Sequence, residues 1–234
     1  MSDSFMELFD LNRLGKLEKG LFVERVNRFT GLCRIGSNIY TCHIADTGRL
    51  KEILTEGREI ILVKNRPELK TDYRLVSARM EDGWVLVNTS IHSRIGLEAI
   101  KKGILGFYPE RIKSEVKFGE SRIDYLIDDD TFVELKGSNL LLDGRCLFPD
   151  APTVRGVKHI NELVRAVKEG YKAYILIMGL RDCSCFSPNI QLDPDFSRAF
   201  FEALRSGVKY SGFKIKIMED GKIILSGKMP LCQS

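Results

Sequence analysis

A near-continuous apolar run, YKAYILIMGL at residues 171–180, constrains the fold more than any other feature of this sequence. A strand of this composition is typical of the interior of a sheet that is covered on both faces. Amphipathic helix patterns flank it at residues 153–170 and 193–207, with Thr153 as a candidate N-cap and Pro194 in a first turn. This order predicts an α/β architecture in which helices cover a central mixed sheet.

The front of the chain has a different pattern, in which short runs rich in β-branched and aromatic residues are separated by Gly, Asn or Asp. Five runs predict strands: FVERVNRFTGLCRI, SNIYTCHIA, REIILVKN, YRLVSARM and GWVLVNT. A five-stranded barrel of the OB type is one candidate among several small β architectures with this count. We therefore predict a small β domain at residues 1–90, with an OB-like β-barrel as one candidate, and an α/β domain at residues 91–234, which makes the chain α+β overall.

The second domain begins with a helix pattern at SRIGLEAIKKGIL, and three strand-like runs follow it. These runs are KSEVKFG, SRIDYLI and TFVELKG. The chain closes with KIKIMEDGKIILSG, which predicts a hairpin around Asp220-Gly221.

Composition excludes some classes of protein. No run approaches the roughly 18 apolar residues of a membrane span, and the N-terminus lacks a secretory pattern, so we expect a cytoplasmic protein with no membrane partner. Cys183 and Cys185 form a CxC without a second cluster at zinc-ligand spacing, and we expect all six cysteines to be reduced. The net charge of +4 indicates an anionic partner only weakly, and the oligomeric state is left open.

Three residues carry the candidate chemistry. Asp124 lies in one predicted strand, and Glu134 and Lys136 lie in the next. Because side chains alternate along a strand, Glu134 and Lys136 project from one face, and antiparallel pairing would bring Asp124 beside them. Two carboxylates on one face repel each other unless a cation lies between them. The pattern therefore predicts a Mg²⁺ or Mn²⁺ site held by Asp124 and Glu134, with Glu115 as a further candidate ligand.

Such a site suits hydrolysis of a phosphodiester, since a metal polarises the phosphate and activates water while Lys136 stabilises developing charge. Arg155, Lys158 and His159 lie in the first turns of the following helix, where basic groups and free amides suit phosphate. The alternatives stay open at this point: an ExK on a strand is often a surface ion pair, and Asp124 could be a turn former. Phe22, Phe29 and Tyr40 are candidates for stacking on unpaired bases, although core packing is the more common fate of such residues.

The spacing D-x₉-E-x-K before a helix resembles the PD-(D/E)xK nuclease superfamily. Longer segments, among them FVERVNRF, HIADTGRL, EVKFGESRIDYLI and VELKGSNLLLDGRCLFPDAPTVRGVKHINEL, resemble the sugar fermentation stimulation protein A family over nearly the whole chain. The resemblance implies an N-terminal OB-like domain, a C-terminal PD-(D/E)xK nuclease-like domain and DNA binding. One departure is visible, because Ala45-Asp46 stands where the family has Pro-Asn before the Thr47-Gly48 pair.

By position, the resemblance implies that Asp124, Glu134 and Lys136 form the nuclease triad. The family's other signature positions correspond here to Arg25, Asn27, Arg28, His43, Thr47, Gly48, Phe148, Pro149, Asp150, Arg155, Gly156, Lys158 and His159. From these and the basic segments, the predicted nucleic-acid contacts are Arg25, Arg28, His43, Arg49, Arg122, Arg155, Lys158 and His159.

Two functions follow as hypotheses. The first is a Mg²⁺- or Mn²⁺-dependent nuclease, which the intact Asp–Glu–Lys set favours. The second is a non-catalytic DNA-binding transcriptional regulator that keeps the nuclease scaffold. Both predict a nucleic acid, DNA above RNA, as the partner, with affinity that falls as salt rises.

Overall fold

The computed structural model describes residues 6–46 and 48–233, and the signature residue Thr47 lies outside them. The chain divides into two compact units. One unit comprises the chain up to His92 together with Lys216–Leu225, and the other comprises Ser93–Ile215 and the chain from Ser226 onward. The tip of the closing hairpin therefore belongs with the first unit, whereas the sequence pattern assigned it to the second domain.

The first unit is built mainly from strands. Its described strands before His92 are β1 (Met6–Asp10), β2 (Leu17–Asn27), β3 (Thr30–Ile35), β4 (Asn38–His43), β5 (Glu59–Lys64), β6 (Tyr73–Met80) and β7 (Gly83–Leu86). Short 3₁₀ helices span Leu11–Leu14 and Thr89–Ile91.

Five of these strands close into a barrel in the order β2-β3-β4-β6-β5, with β5 returning to β2. The β4–β6 pairing is parallel, and the other four are antiparallel. Phe22, Cys33, Cys42 and Ile60 are among the buried residues of these strands. The predicted five-stranded barrel of the OB type is confirmed.

The membership of the barrel differs from the prediction. The run at residues 22–35, predicted as one strand, folds as the β2–β3 hairpin. Its turn is stabilised by the side chain of Asn27, which accepts a 2.9 Å hydrogen bond from the amide of Phe29. In a continuous strand the amide of Phe29 would need a partner on a neighbouring strand. The side chain of Asn27 supplies that partner locally, so a turn forms here despite the strand propensity of the run. The last predicted strand, β7, pairs with β6 outside the closed ring.

The second unit mixes helices and strands. The helices are α1 (His92–Lys101), α2 (Val154–Lys168) and α3 (Pro194–Arg205). The strands are β8 (Ile112–Phe118), β9 (Ser121–Ile127), β10 (Thr131–Ser138), β11 (Leu140–Leu142), β12 (Arg145–Phe148), β13 (Lys172–Gly179), β14 (Cys185–Pro188), β15 (Lys209–Ile217) and β16 (Lys222–Lys228). The last two strands, β15 and β16, each include part of Lys216–Leu225, the segment that belongs with the first unit.

The central sheet of this unit has the order β15-β13-β10-β9-β8. The apolar strand β13 lies inside it and pairs in parallel with β10 and β15, while β9 and β8 continue it antiparallel. A smaller sheet has the order β11-β12-β14. The prediction of a mixed central sheet with a buried strand at residues 171–180 is confirmed.

Helices cover both faces of the central sheet. On one face, Ile160 and Leu163 of α2 and Phe200 of α3 join Phe132 and Ile175 of the sheet in one buried cluster. On the other face, α1 comes so close that a Cβ on Gly96 would lie 2.7 Å from the side chains of Leu135 and Tyr125. Alternate residues of β10 therefore face different helices.

Side chains cap the N-termini of α2 and α3, and the predicted cap at Thr153 is confirmed. Oγ1 of Thr153 accepts a 2.9 Å hydrogen bond from the amide of Gly156. Asp193 does the same for the amide of Phe196 at 2.9 Å, and Pro194 occupies the first turn. The cap at Thr153 fixes where α2 begins, close to the strand that carries the candidate site.

The expectation of six reduced thiols is wrong. Disulfides join Cys146 to Cys183 and Cys185 to Cys232, and the buried Cys33 and Cys42 are free. The two partners in each disulfide are 37 and 47 residues apart, and the pairing of β12 with β14 brings Cys146 close to the segment that holds Cys183. Within residues 6–46 and 48–233, no helix has the length and apolar character needed to cross a membrane.

Candidate active site

Asp124 and Glu134 occupy the first positions beyond the regular ladder between β9 and β10. The antiparallel register runs from Thr131 opposite Ile127 to Val133 opposite Tyr125 and then stops. Oδ2 of Asp124 accepts a 2.7 Å hydrogen bond from the amide of Leu135. The carboxylate of Asp124 thus accepts a backbone hydrogen bond just beyond the point where the pairing of β9 with β10 ends. Asp124 lies next to the strand position of Glu134.

Glu134 is almost fully buried, at 1% exposure, on the sheet face that α2 covers. Its Oε1 accepts a 2.5 Å hydrogen bond from Nζ of Lys136 and also contacts Nδ1 of His159. Its Oε2 is buried and has no hydrogen-bond partner among the described residues. Leaving such an oxygen without a partner costs free energy, so this one is a candidate donor to a ligand that is not part of the chain.

The protein environment shifts the pKa values of the two carboxyl groups in opposite directions. Burial, reinforced by the charge of Glu134, raises the pKa of Asp124 to about 6. Burial acts on Glu134 in the same direction, but the ammonium of Lys136 and the hydrogen bond from His159 outweigh it, and the pKa of Glu134 is lowered. One carboxylate is therefore charge-compensated by the protein, whereas the other lacks sufficient positive charge.

Glu115 lies on β8 at the position that faces Asp124 in the β8–β9 register, between the pairs Ser114–Tyr125 and Val116–Ile123. Its backbone has a left-handed φ of 55°, which interrupts the regular strand. The side chain is exposed, and its charge contributes to raising the pKa of Asp124. Glu115 thus lies near the pair without being part of its buried hydrogen-bond network.

The residues present fit a hard divalent cation. Among the described residues, no three His, Cys, Asp or Glu side chains form a ready-made metal cage. Mg²⁺ does not require one, because it commonly takes one or two carboxylates and keeps several waters or substrate oxygens. The unpartnered Oε2 of Glu134 and the undercompensated carboxylate of Asp124 supply donors of that kind.

His159 supports Glu134 from α2. Its ring is 6% exposed, and Nε of Arg155 donates to its Nε2 at 3.4 Å. Because arginine has no acceptor, Nε2 must accept, which leaves the proton on Nδ1 facing Glu134. His159 thus supports the carboxylate of Glu134, and its predicted contact with nucleic acid stays a prediction.

Arg25, another predicted contact of nucleic acid, donates hydrogen bonds to backbone carbonyls of the same unit. Its Nη1 donates to the carbonyls of Gly48 and Arg49, and its Nη2 donates to those of Arg28 and Asp46, at 2.7–3.0 Å. Its four terminal N–H groups are thereby engaged in organising a loop, and its predicted contact with nucleic acid stays a prediction.

The departure from the family signature at Asp46 has a local explanation. The residue is 9% exposed, and its Oδ1 accepts a 2.8 Å hydrogen bond from the amide of Gly48. The carboxylate therefore turns into its own loop.

The remaining predicted contacts of nucleic acid keep their side chains at the surface and stay predictions. His43 is half-buried in the first unit. The exposed residues are Arg28, Arg49, Arg122, Arg155 and Lys158. Three of them have partners within the second unit: Lys158 lies 3.2 Å from Glu120, Arg122 donates to the carbonyl of Glu115, and Arg155 donates to His159.

The sequence pattern did not connect His159 to Glu134, which lies 25 residues away. The only available signal was the spacing of four between Arg155 and His159, which places them on one side of a helix. Which strand that side would face depends on how α2 packs, and no local pattern encodes this.

Comparison with known proteins decides the family. Residues 90–221 match the model described as the sugar fermentation stimulation protein RE domain, and residues 23–87 match the SfsA N-terminal OB domain. The chain belongs to the sugar fermentation stimulation protein family. The predicted family resemblance is confirmed.

Two relatives and one solved structure show how similar the chain is to other members of the family. A homologue from Sulfolobus acidocaldarius is 39% identical over 233 residues, covering 99% of this chain and 96% of the homologue. One from Thermotoga petrophila is 39% identical over 217 residues, covering 92% and 95%. A solved structure of Pyrococcus furiosus SfsA in complex with Ca²⁺ has a TM-score of 0.88 and 31% identity, and covers 97% of this chain and 100% of that one.

Proposed function

We propose that this protein binds nucleic acid and hydrolyses its phosphodiester bonds with the help of Mg²⁺ or Mn²⁺. The observation that carries the proposal is the buried Glu134, whose Oε2 has no partner among the described residues and whose neighbour Asp124 has a raised pKa. A binding protein has no use for this arrangement, because two neighbouring carboxylates repel a phosphate backbone unless a cation lies between them.

The side chains of the site have different roles in the proposed reaction. Oε2 of Glu134 and the carboxylate of Asp124 would hold the metal, which when bound polarises the phosphate and lowers the pKa of a water. Lys136 has a side chain 15% exposed, so its ammonium can reach a substrate oxygen and stabilise the charge that develops there. His159 and Lys136 both hold Oε1 of Glu134, which leaves Oε2 for the metal.

A related protein supports a hard cation. The solved structure of Pyrococcus furiosus SfsA is of a complex with Ca²⁺. Ca²⁺ takes oxygen ligands, as Mg²⁺ does, and it often occupies such sites without supporting the same chemistry. DNA is our first choice of substrate, and the exposed cations of both units supply the sequence-independent part of binding.

The test is a cleavage assay on single- and double-stranded DNA and RNA, with Mg²⁺, Mn²⁺ or EDTA. We expect cleavage that requires metal and falls by about 100-fold or more in Lys136→Ala, while binding is retained. Lys117→Ala is the matched control, since Lys117 is an exposed lysine on the neighbouring part of the sheet.

The second candidate is the non-catalytic DNA-binding regulator, and one observation favours it: the described residues hold no three-ligand metal cage. Binding without cleavage under every metal and substrate condition would support it and reject the hydrolase. Cleavage that is equally strong in Glu134→Gln would also reject the proposed site.

A further inference from the structure

A groove in the first unit lies between the β2–β3 turn and the loop that joins β5 to β6. Its described lining includes Phe29, His43, Leu69, Lys70, Thr71 and Arg74. All of these residues belong to the first unit, and none belongs to the candidate active site.

The groove presents apolar surface to solvent. Phe29 is 47% exposed and Leu69 is 54% exposed, although both are large hydrophobic side chains. The other two aromatic candidates from the sequence do not share this exposure: Phe22 is buried in the barrel, and Tyr40 packs edge-on against Tyr73 at 5.3 Å. Phe29 is thus the one of the three whose ring can accept a planar partner.

The charge around the groove is positive. Lys70 and Arg74 line it, and no described lining residue is Asp or Glu. The guanidinium of Arg28 lies 5.5 Å from the centre of the Phe29 ring, which adds a further cation beside the aromatic face. An anionic ligand with a flat apolar part matches this combination of groups.

The groove is held in shape by side-chain hydrogen bonds. Asn65 donates to the carbonyl and to Oγ1 of Thr71 at 3.0 and 2.9 Å, which closes the β5–β6 loop. Asp72 accepts from the amide and the hydroxyl of Thr41 at 2.8 and 2.7 Å, which ties the end of that loop to β4. A preformed site loses less conformational entropy when its ligand binds.

We propose that this groove binds an unpaired nucleotide, whose base stacks on Phe29 and whose phosphates contact Lys70 and Arg74. The inference rests on the proposed nucleic-acid function and deepens it, because it makes a strand with unpaired bases the preferred partner. Bases inside a duplex stack on one another, so their faces are not available to an aromatic side chain. Stacking accepts any base, so the groove confers a preference for single strands without a sequence preference.

The experiment measures binding of the full chain to a fluorescent oligothymidylate and to a duplex of equal length, by anisotropy. We expect Phe29→Ala to weaken single-strand binding by about 5- to 150-fold, the range that corresponds to loss of one base stack. Duplex affinity should stay unchanged. Ile39→Ala is the matched control, because Ile39 is a 49% exposed residue of the same barrel that does not line the groove.

Two further variants separate stacking from folding and from charge. Phe29→Trp should keep the affinity, and the new indole should be quenched when oligothymidylate binds. Arg74→Ala should reduce the slope of log affinity against log salt by about 0.7, the value for one phosphate contact on a single strand.

The outcomes distinguish the inference from the proposed function. If the unaltered protein binds no nucleic acid, the proposed function and the inference both fail. If it binds but Phe29→Ala and Ile39→Ala match it on oligothymidylate, the inference is overturned while the proposed function stands. Equal loss on duplex and single strand in Phe29→Ala also overturns the preference for unpaired bases.

Discussion

Nδ1 of His159 faces Oε1 of Glu134, while Oε2 of the same carboxylate has no partner among the described residues. The ring is fixed from its other side by Arg155, which donates to Nε2. Hydrogen bonds of this kind orient a metal-binding carboxylate and hold its second oxygen in one place.

We predict that His159→Ala weakens the affinity for Mn²⁺ or Ca²⁺ by about 10- to 100-fold, the range for loss of an orienting partner. His159→Asn retains an N–H near the Nδ1 position and should keep most of the affinity. Isothermal titration calorimetry measures both, with Glu134→Gln as the variant that abolishes binding. Equal affinities in the alanine variant and the unaltered protein would contradict an orienting role.

The raised pKa of Asp124 predicts a pH-dependent stability in metal-free protein. Because the folded pKa is about 6 against an ordinary 3.8, the folded state binds this proton more tightly than the unfolded chain does. The free energy of unfolding contributed by this group therefore falls as pH rises from about 4 to 6, by about 3 kcal/mol at most.

Asp124→Asn removes this titration and keeps an acceptor for the amide of Leu135. Its free energy of unfolding relative to the unaltered protein should rise across the same pH window in EDTA. Urea denaturation at pH 4, 5, 6 and 7 measures the difference. A difference that is constant with pH would show that Asp124 has no raised pKa.

Gly96 determines how closely α1 approaches the strand of the site. A Cβ there would lie 2.7 Å from Leu135 and from Oη of Tyr125, whose hydroxyl already donates to the carbonyl of Ser93 at 2.5 Å. Alanine stabilises an open helix by about 1 kcal/mol relative to glycine, but overpacking a buried contact costs about 1–3 kcal/mol.

We therefore predict that Gly96→Ala lowers the free energy of unfolding by about 1–2 kcal/mol. It should also weaken metal binding, because Leu135 lies between Glu134 and Lys136 in the chain. Arg94→Ala, at an exposed position of the same helix, should change neither quantity. A more stable Gly96→Ala protein would show that the contact between α1 and the sheet can accommodate a methyl group at this position.

The disulfides predict a thiol count. In denaturant without reductant, Ellman's reagent should titrate two thiols, those of Cys33 and Cys42, and after reduction it should titrate six. Replacing Cys185 and Cys232 by serine should lower the free energy of unfolding by about 2–4 kcal/mol, since the bond closes a long loop of the unfolded chain. Six free thiols before reduction would refute both bonds.

Local patterns determined much of this protein. The apolar run at residues 171–180 predicted a buried strand, because a strand covered on both faces has no polar side. The caps Thr153 and Asp193 follow from backbone amides that a helix cannot satisfy itself. The alternation of Glu134 and Lys136 with buried neighbours follows from the period of a strand, so the sequence alone placed both on one face.

Tertiary structure decided the rest, because the relevant partners are far apart in the chain. Packing of α2 on the sheet chose Glu134 as the partner of His159, and the pairing of β12 with β14 brought Cys146 to Cys183. Exposure separated Phe29 from Phe22, which are equally aromatic in sequence. A sequence pattern specifies which face of an element is apolar, but the neighbour that covers that face is selected only when the whole core packs.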